Sequence, residues 1–272
     1  MNNTISILGC GWLGLPLAQS LRNLGCTVKG STTTSKKISI LKEYGILPYL
    51  LHCDPPLVGE NVEDFFNSQV GILTIPFKRN LADPRIYFEQ IKAIVSYIER
   101  SCIKFVIFCS STSVYPDHWP WAKEDSRFFP DDSRAETLLA LEEYLMMDQC
   151  FASTIIRLGG LYGGTRQVGK FLAGKENVLY PQSPVNLIHF EDAIGIIVEV
   201  IRQDSKGEIF NACSDEHPTR RELYTHSARK MNLTVPTFVE DSVGPCKKVS
   251  NDKVKERLGY RFKYPNPLMP HE

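Results

Sequence analysis

The run Gly9-Cys10-Gly11-Trp12-Leu13-Gly14 is the densest group of residues with a chemical task in this chain. Three glycines at this spacing suit a pyrophosphate. Gly9 allows a tight turn, Gly11 lets the backbone approach the phosphates, and Gly14 lets the next helix pack closely on a sheet. The N-terminus of that helix then offers N–H groups and a favourable dipole to an anion. The motif carries weight only between a strand and a helix. Both are expected here. Residues 4–8 form a short β-rich run, and Leu13, Leu17, Leu21 and Leu24 recur at helical spacing before Gly25. Together these residues predict a Rossmann strand–turn–helix holding a nicotinamide dinucleotide, with Trp12 and Leu13 among its contacts.

The end of the second strand bears on which dinucleotide it is. NAD sites usually place an Asp or Glu there for the ribose 2′-hydroxyl. This chain instead has Lys29-Gly30-Ser31-Thr32-Thr33-Thr34-Ser35-Lys36-Lys37, with no carboxylate. Hydroxyls and a lysine can hold a 2′-phosphate that an acid would repel. NADP is therefore expected over NAD, with Ser31, Thr32 and Lys36 as contacts. The same run would also serve as a solvated loop capping the next helix.

The elements that must carry these groups follow from periodicity. Strands are expected at 26–29, 47–51, 70–75, 104–109 and 153–158, alternating with helices at 36–44, 86–101 and 134–147. That alternation predicts an α/β fold, a doubly wound parallel sheet with helices on both faces. A Rossmann domain over 1–158 and a smaller α/β lobe over 159–272 are expected. Within the lobe, 186–213 should return to the Rossmann core, with strands at 185–188 and 208–211 and a helix at 190–202. A further helix is expected at 220–231.

Bulk properties exclude some partners. The 272 residues carry 31 Lys plus Arg against 31 Asp plus Glu, so nothing in the charge points to nucleic acid. No basic amphipathic stretch suggests a membrane surface, and no run reaches transmembrane length. The eight cysteines form no Cys-x-x-Cys pair, and several lie in apolar runs. Reduced buried thiols in a cytoplasmic protein are expected, without disulfides or metal.

Three later segments complete a pattern. They are Cys109-Ser110-Ser111-Thr112-Ser113-Val114-Tyr115, Arg157-Leu158-Gly159-Gly160-Leu161-Tyr162-Gly163, and Asn186-Leu187-Ile188-His189-Phe190-Glu191-Asp192. With the glycine turn they resemble the extended short-chain dehydrogenase/reductases, which include nucleotide-sugar epimerases and dehydratases. The resemblance implies that Ser111 bonds the reacting oxygen of the substrate, with Thr112 and Ser113 in the same pocket. It puts Gly160, Leu161 and Tyr162 beside the nicotinamide, and Ile75 and Pro76 beside the cofactor riboses. Asn186, His189 and Asp192 resemble a segment that supports the site, and Tyr115 is expected to pack.

Two departures stand out. The family's acid–base pair is a tyrosine with a lysine four residues later, on the helix after the fifth strand. Here the matching positions fall at Arg134 and Leu138, or at Ala135 and Leu139. The glycine spacing is also tighter than in most extended members. Another group must then supply the proton: Tyr162, Ser111 through a water, or Arg134 as an oxyanion stabiliser. The expected function is an NADP-dependent oxidoreductase or epimerase-like enzyme for a small polar substrate such as a sugar nucleotide. A catalytically inactive dinucleotide sensor is the alternative. A hydroxyacid dehydrogenase of the 6-phosphogluconate type, which would end in long helices, is a second. A homodimer is one open assembly state. The loop over 116–132, with Trp119, Trp121, Phe128 and Phe129, could shape a pocket or pack on the surface.

Overall fold

In a computed structural model, residues 3–78, 81–147 and 150–269 are described. The elements in chain order are β1 (Thr4–Leu8), α1 (Gly14–Asn23), β2 (Thr27–Thr32), α2 (Lys37–Glu43), β3 (Leu47–Cys53), β4 (Leu57–Gly59), α3 (Val62–Phe66) and β5 (Val70–Leu73). Next come α4 (Arg85–Glu99), β6 (Phe105–Ser111), a single 3₁₀ turn (Thr112–Val114), α5 (Ser133–Met146), β7 (Ala152–Leu158) and β8 (Gly160–Tyr162). The chain closes with α6 (Gly169–Leu172), β9 (Leu187–His189), α7 (Phe190–Arg202), β10 (Ile209–Ala212), α8 (Arg220–Lys230) and α9 (Asp252–Leu258).

Eight strands form one sheet in the order β10-β7-β6-β5-β1-β2-β3-β4, and β8 pairs with β9 in a second, parallel sheet. β1 pairs in parallel with β2 on one side and β5 on the other. The order therefore reverses between β1 and β5, the kind of switch point beyond whose carboxyl ends ligands bind in such sheets. The α/β doubly wound fold expected from the sequence is the fold observed. The short β4, antiparallel to β3, was not foreseen. Nor were α3 and α9.

The central strands are apolar on both faces, as a sheet covered by helices requires. Ile5, Ile7, Val28, Ile72, Val106 and Ile107 are fully buried. α1 turns Leu17, Ala18 and Leu21 inward, and α4 turns in Ile91, Ile94, Val95 and Ile98. β2 runs three residues beyond the expected end at Lys29. Its outer residues pair in register with β3, Ser31 with Tyr49 and Thr32 with Leu50. Ser31 and Thr32 are thus strand residues and buried, not loop. β5 stops at Leu73, two residues earlier than expected.

The chain divides into two compact units. One comprises Met1–Ser110, Asp132–Ile156 and Ile197–Ile209, the other Ser111–Asp131, Arg157–Ile196 and Phe210–Glu272. The second unit is built on a cluster of Tyr162, Val168, Leu187 and Leu223. Among the described residues the helices after Gly159 run from four to thirteen residues, so no long helical array is present among them. No described helix is long and apolar enough to cross a membrane.

α8 starts on a reciprocal cap. Thr219 Oγ1 accepts from the Glu222 N–H at 3.2 Å, and the Glu222 carboxylate accepts from the Thr219 N–H at 2.8 Å. The Thr219 N–H and hydroxyl, both donating to the carboxylate, hold the Glu222 carboxyl below its ordinary value of 4.5. A depressed carboxyl adds stability above the unfolded pKa and loses it as pH falls. Thr219→Ala should cost about 1 kcal/mol at neutral pH. In urea titrations that difference should shrink below about pH 4 as Glu222 protonates.

Candidate cofactor site and the surrounding networks

In the first unit the turn after β1 has the geometry its glycines promise. Gly9 sits at φ +107°, a left-handed conformation that favours glycine. A Cβ on Gly14 would fall on the Gly9 carbonyl oxygen and lie 2.9 Å from Thr74 Oγ1. A Cβ on Gly11 would meet nothing closer than Gly9 O at 3.9 Å. Gly14 is therefore needed for packing, while Gly11 faces open space. No side chain caps α1.

The neighbouring strands fasten the turn. The Gly9 N–H donates to Ser31 Oγ at 2.9 Å, and the Cys10 N–H donates to Ser31 O at 2.8 Å. Thr74 Oγ1 donates to Gly9 O at 2.8 Å from the end of β5. Thr74 was not picked out from sequence; its signal is a hydroxyl residue just past a buried strand that flanks the turn. Burial pushes the Cys10 thiol up to about 12, so the cysteine inside the motif is a small packing group rather than a nucleophile.

The sequence-predicted contacts beyond the turn are differently placed. Ser31 props the turn, and Thr32 Oγ1 accepts from the Thr34 N–H at 3.1 Å. Thr33, Thr34, Ser35, Lys36 and Lys37 are exposed. Trp12 is half-buried and Leu13 buried. Ile75 is half-buried and Pro76 exposed, directly after Thr74. The Tyr87 hydroxyl donates to Ile75 O at 2.8 Å. Arg134, on the first turn of α5, donates to Lys78 O at 2.8 Å and to Phe77 O at 3.2 Å. Its guanidinium lies 3.9 Å from the centre of the Phe77 ring. On the same helix Ala135 and Leu138 are buried, and Glu142 is a buried carboxylate that accepts from Ser110 Oγ at 2.5 Å. Sequence reasoning passed over Glu142, which stands in an acidic pair, Glu142-Glu143, that reads as helix surface.

The second unit carries the other candidates. Ser111 Oγ accepts from the Ser113 N–H at 3.1 Å, starting the 3₁₀ turn. Ser111 is half-buried and Thr112 buried. Gly160 is exposed, Leu161 half-buried, and Tyr162 only 1 % exposed. The Tyr162 ring meets His189 edge-on at 5.2 Å, and burial raises its phenol. His189 in turn lies 3.6 Å, ring to ring, from Tyr264.

Asn186 and Asp192 clamp the C-terminal segment. Asn186 bonds Lys247 O and the Val249 N–H at 2.8 and 2.9 Å. Asp192, fully buried, accepts from the Tyr260 hydroxyl and the N–H groups of Lys263 and Tyr264. The 116–132 loop is stitched to the same segment, with Ala122 N donating to Lys248 O and Ser250 N to Ala122 O. Trp121 stands edge-on to His217 at 5.7 Å.

Tyr115 is central to a buried polar network. Its hydroxyl donates to Asn211 Oδ1 at 2.8 Å and accepts from Arg157 Nη1 at 2.7 Å. Burial pushes this phenol up to about 12 despite the pull of Arg157. All eight cysteines are free, and the described residues contain no cluster of ligands suited to a metal.

Protein YeeZ of Escherichia coli K12 is 34 % identical over 272 residues, covering 98 % of this chain and 99 % of that protein. The chain belongs to the YeeZ family. No protein-family model matches it. Among solved structures, UDP-N-acetylglucosamine 4-epimerase from Bacillus cereus superposes with a TM-score of 0.78 at 17 % identity, covering 97 % of this chain and 92 % of that one. A short-chain dehydrogenase/reductase superfamily protein from Agrobacterium tumefaciens with bound NAD gives 0.77 at 17 %, covering 96 % and 93 %. This YeeZ-family chain thus shares the Rossmann-like α/β fold of these structures.

Proposed function

We propose that the chain is an NADP-dependent oxidoreductase or epimerase-like enzyme acting on a small polar substrate of the sugar-nucleotide kind. The glycine turn carries this reading, with Gly11 open to a ligand and Gly14 tight against Gly9. Gly9, Gly11, Trp12, Leu13 and Gly14 hold the pyrophosphate, and Ile75 and Pro76 meet the rest of the cofactor. Bound NADP(H) would supply the hydride chemistry. Ser111 holds the reacting oxygen of the substrate. Tyr162 backs the site from the core, since burial disfavours the phenolate that proton exchange requires. The shared fold of the Bacillus cereus UDP-N-acetylglucosamine 4-epimerase supports the substrate class by analogy alone.

NADP over NAD rests on the end of β2. Ser31 and Thr32 are drawn into the strand, so the 2′-phosphate falls to the exposed group that ends in Lys36, with no carboxylate to repel it. NADPH should bind at least about tenfold more tightly than NADH, a difference of about 1.4 kcal/mol. Lys36→Ala should remove most of that preference and leave NADH unchanged. Titration by cofactor fluorescence reads both. Tighter binding of NADH by the wild-type chain would overturn the assignment.

A sensor without turnover is the second reading. It draws on α5, where neither matching pair, Arg134 with Leu138 or Ala135 with Leu139, holds a tyrosine or a lysine. Substrate-dependent oxidation of NADPH across a panel of carbonyl compounds and sugar nucleotides separates the two. Turnover with any of them supports the enzyme; tight binding with no turnover supports the sensor.

A further inference from the structure

The segment after β5 is held from an unexpected direction. Residues 75–78 follow Thr74, whose hydroxyl bonds the Gly9 carbonyl, so they adjoin the glycine turn at the switch point of the sheet. Among the described residues the only backbone bond to their carbonyls comes from Leu81 N to Lys78 O, at 3.4 Å. Side chains do the rest. Tyr87 of α4 donates to Ile75 O, and its ring stacks on Phe77 at 4.5 Å and 8°. Arg134 of α5 covers the other side of that stack, 3.9 Å from Phe77, and reaches both Phe77 O and Lys78 O. Tyr87, Phe77 and Arg134 form a three-layer strut whose load is the conformation of 75–78.

We propose that Arg134 is a positioning residue that sets residues 75–78 for the nicotinamide half of the cofactor. The inference rests on the cofactor reading above. The direction follows from strand order. The adenosine half belongs over β2, whose end meets the adenosine ribose, and the pyrophosphate sits at the turn after β1. The remaining half must run the other way, over β5, where this segment lies. Arg134 has its donors on two carbonyls and its face on an aromatic ring. A planar guanidinium can do both at once, whereas an ammonium cannot. One of the two helix positions that match the family's tyrosine is thus given to shaping the cofactor bed rather than to moving a proton.

The test compares the whole cofactor with its adenosine fragment on the intact chain. The probes are NADPH and adenosine 2′,5′-bisphosphate, or NADH and ADP should NADH bind more tightly. Arg134→Ala should weaken the dinucleotide about tenfold, as expected for losing charge-assisted bonds that order its bed, and change fragment affinity less than about twofold. Arg134→Lys should not restore the dinucleotide. Tyr87→Phe keeps the ring but loses the Ile75 bond, and should shift the same ratio in the same direction. Equal weakening of dinucleotide and fragment, or no weakening of either, overturns the inference while leaving the cofactor reading intact. A wild-type chain that binds neither probe overturns both.

Discussion

Gly11→Ala should abolish dinucleotide binding without destabilising the protein, whereas Gly14→Ala should damage both. At Gly11 the new methyl meets nothing closer than 3.9 Å, and the residue is exposed with no left-handed φ. Replacing glycine at such a position removes freedom from the unfolded chain and is neutral or stabilising by up to about 1 kcal/mol. The methyl instead occupies the space through which a pyrophosphate would approach the backbone. A loss of at least about 100-fold in affinity, about 2.7 kcal/mol, is expected. At Gly14 the methyl would collide with the Gly9 carbonyl and crowd Thr74, both fixed by the sheet. Relief requires moving α1 off β1, at a cost of about 1–3 kcal/mol as in other overpacked sites. Thermal melting and NADPH titration on the two variants separate these effects. A Gly11→Ala protein that binds NADPH like the wild type would remove the pyrophosphate from this turn.

What the sequence could disclose depended on whether the physics was local. β1, α1 and α7 are readable because a single strand or helix period spans each, with glycines after β1 and α1 and two acidic residues in the first turn of α7. β2 was cut short because Gly30, Ser31 and Thr32 have turn composition, while their pairing with β3 is a tertiary fact. β4 and α3 lie behind Pro55-Pro56 and are three and five residues long, too short for any period to show. α9 was lost among prolines that flank it at a distance. The same division runs through the candidate site. The glycine turn is contiguous, and so was legible. Arg134 was noticed for its place on α5, but its partners Phe77 and Lys78 stand 57 and 56 residues away. No spacing rule links them. Glu142 and Arg157 are charged residues that the sheet and its helices bury, and burial of a charge cannot be read from its neighbours in sequence.

Arg157→Met should be the most destabilising substitution in the second unit that introduces no backbone strain. Arg157 is 4 % exposed, donates to the Tyr115 hydroxyl, and lies 4.9 Å from the centre of that ring. Tyr115 passes the order on to Asn211, 96 residues away in sequence. Asn211 in turn donates its N–H to Glu124 at 2.7 Å. Burial raises the Glu124 carboxyl, and Arg157 and Lys253 pull it back down. Removing one partner from such a set leaves the others desolvated and uncompensated, which costs about 3–5 kcal/mol, far more than the pair contributes net of its own burial. Tyr115→Phe leaves the charges in place and should cost only about 1–2 kcal/mol. The cost of Arg157→Met should also depend on pH, and the sign is fixed by Glu124. A carboxyl whose folded pKa is raised disfavours the folded state once it must ionise, so its penalty grows as pH rises through that range. Without Arg157 the raised value climbs further. The deficit measured by urea unfolding should therefore be larger at pH 7 than at pH 4.5. A deficit that is the same at both would assign the cost to lost packing around the guanidinium rather than to the buried charge of Glu124.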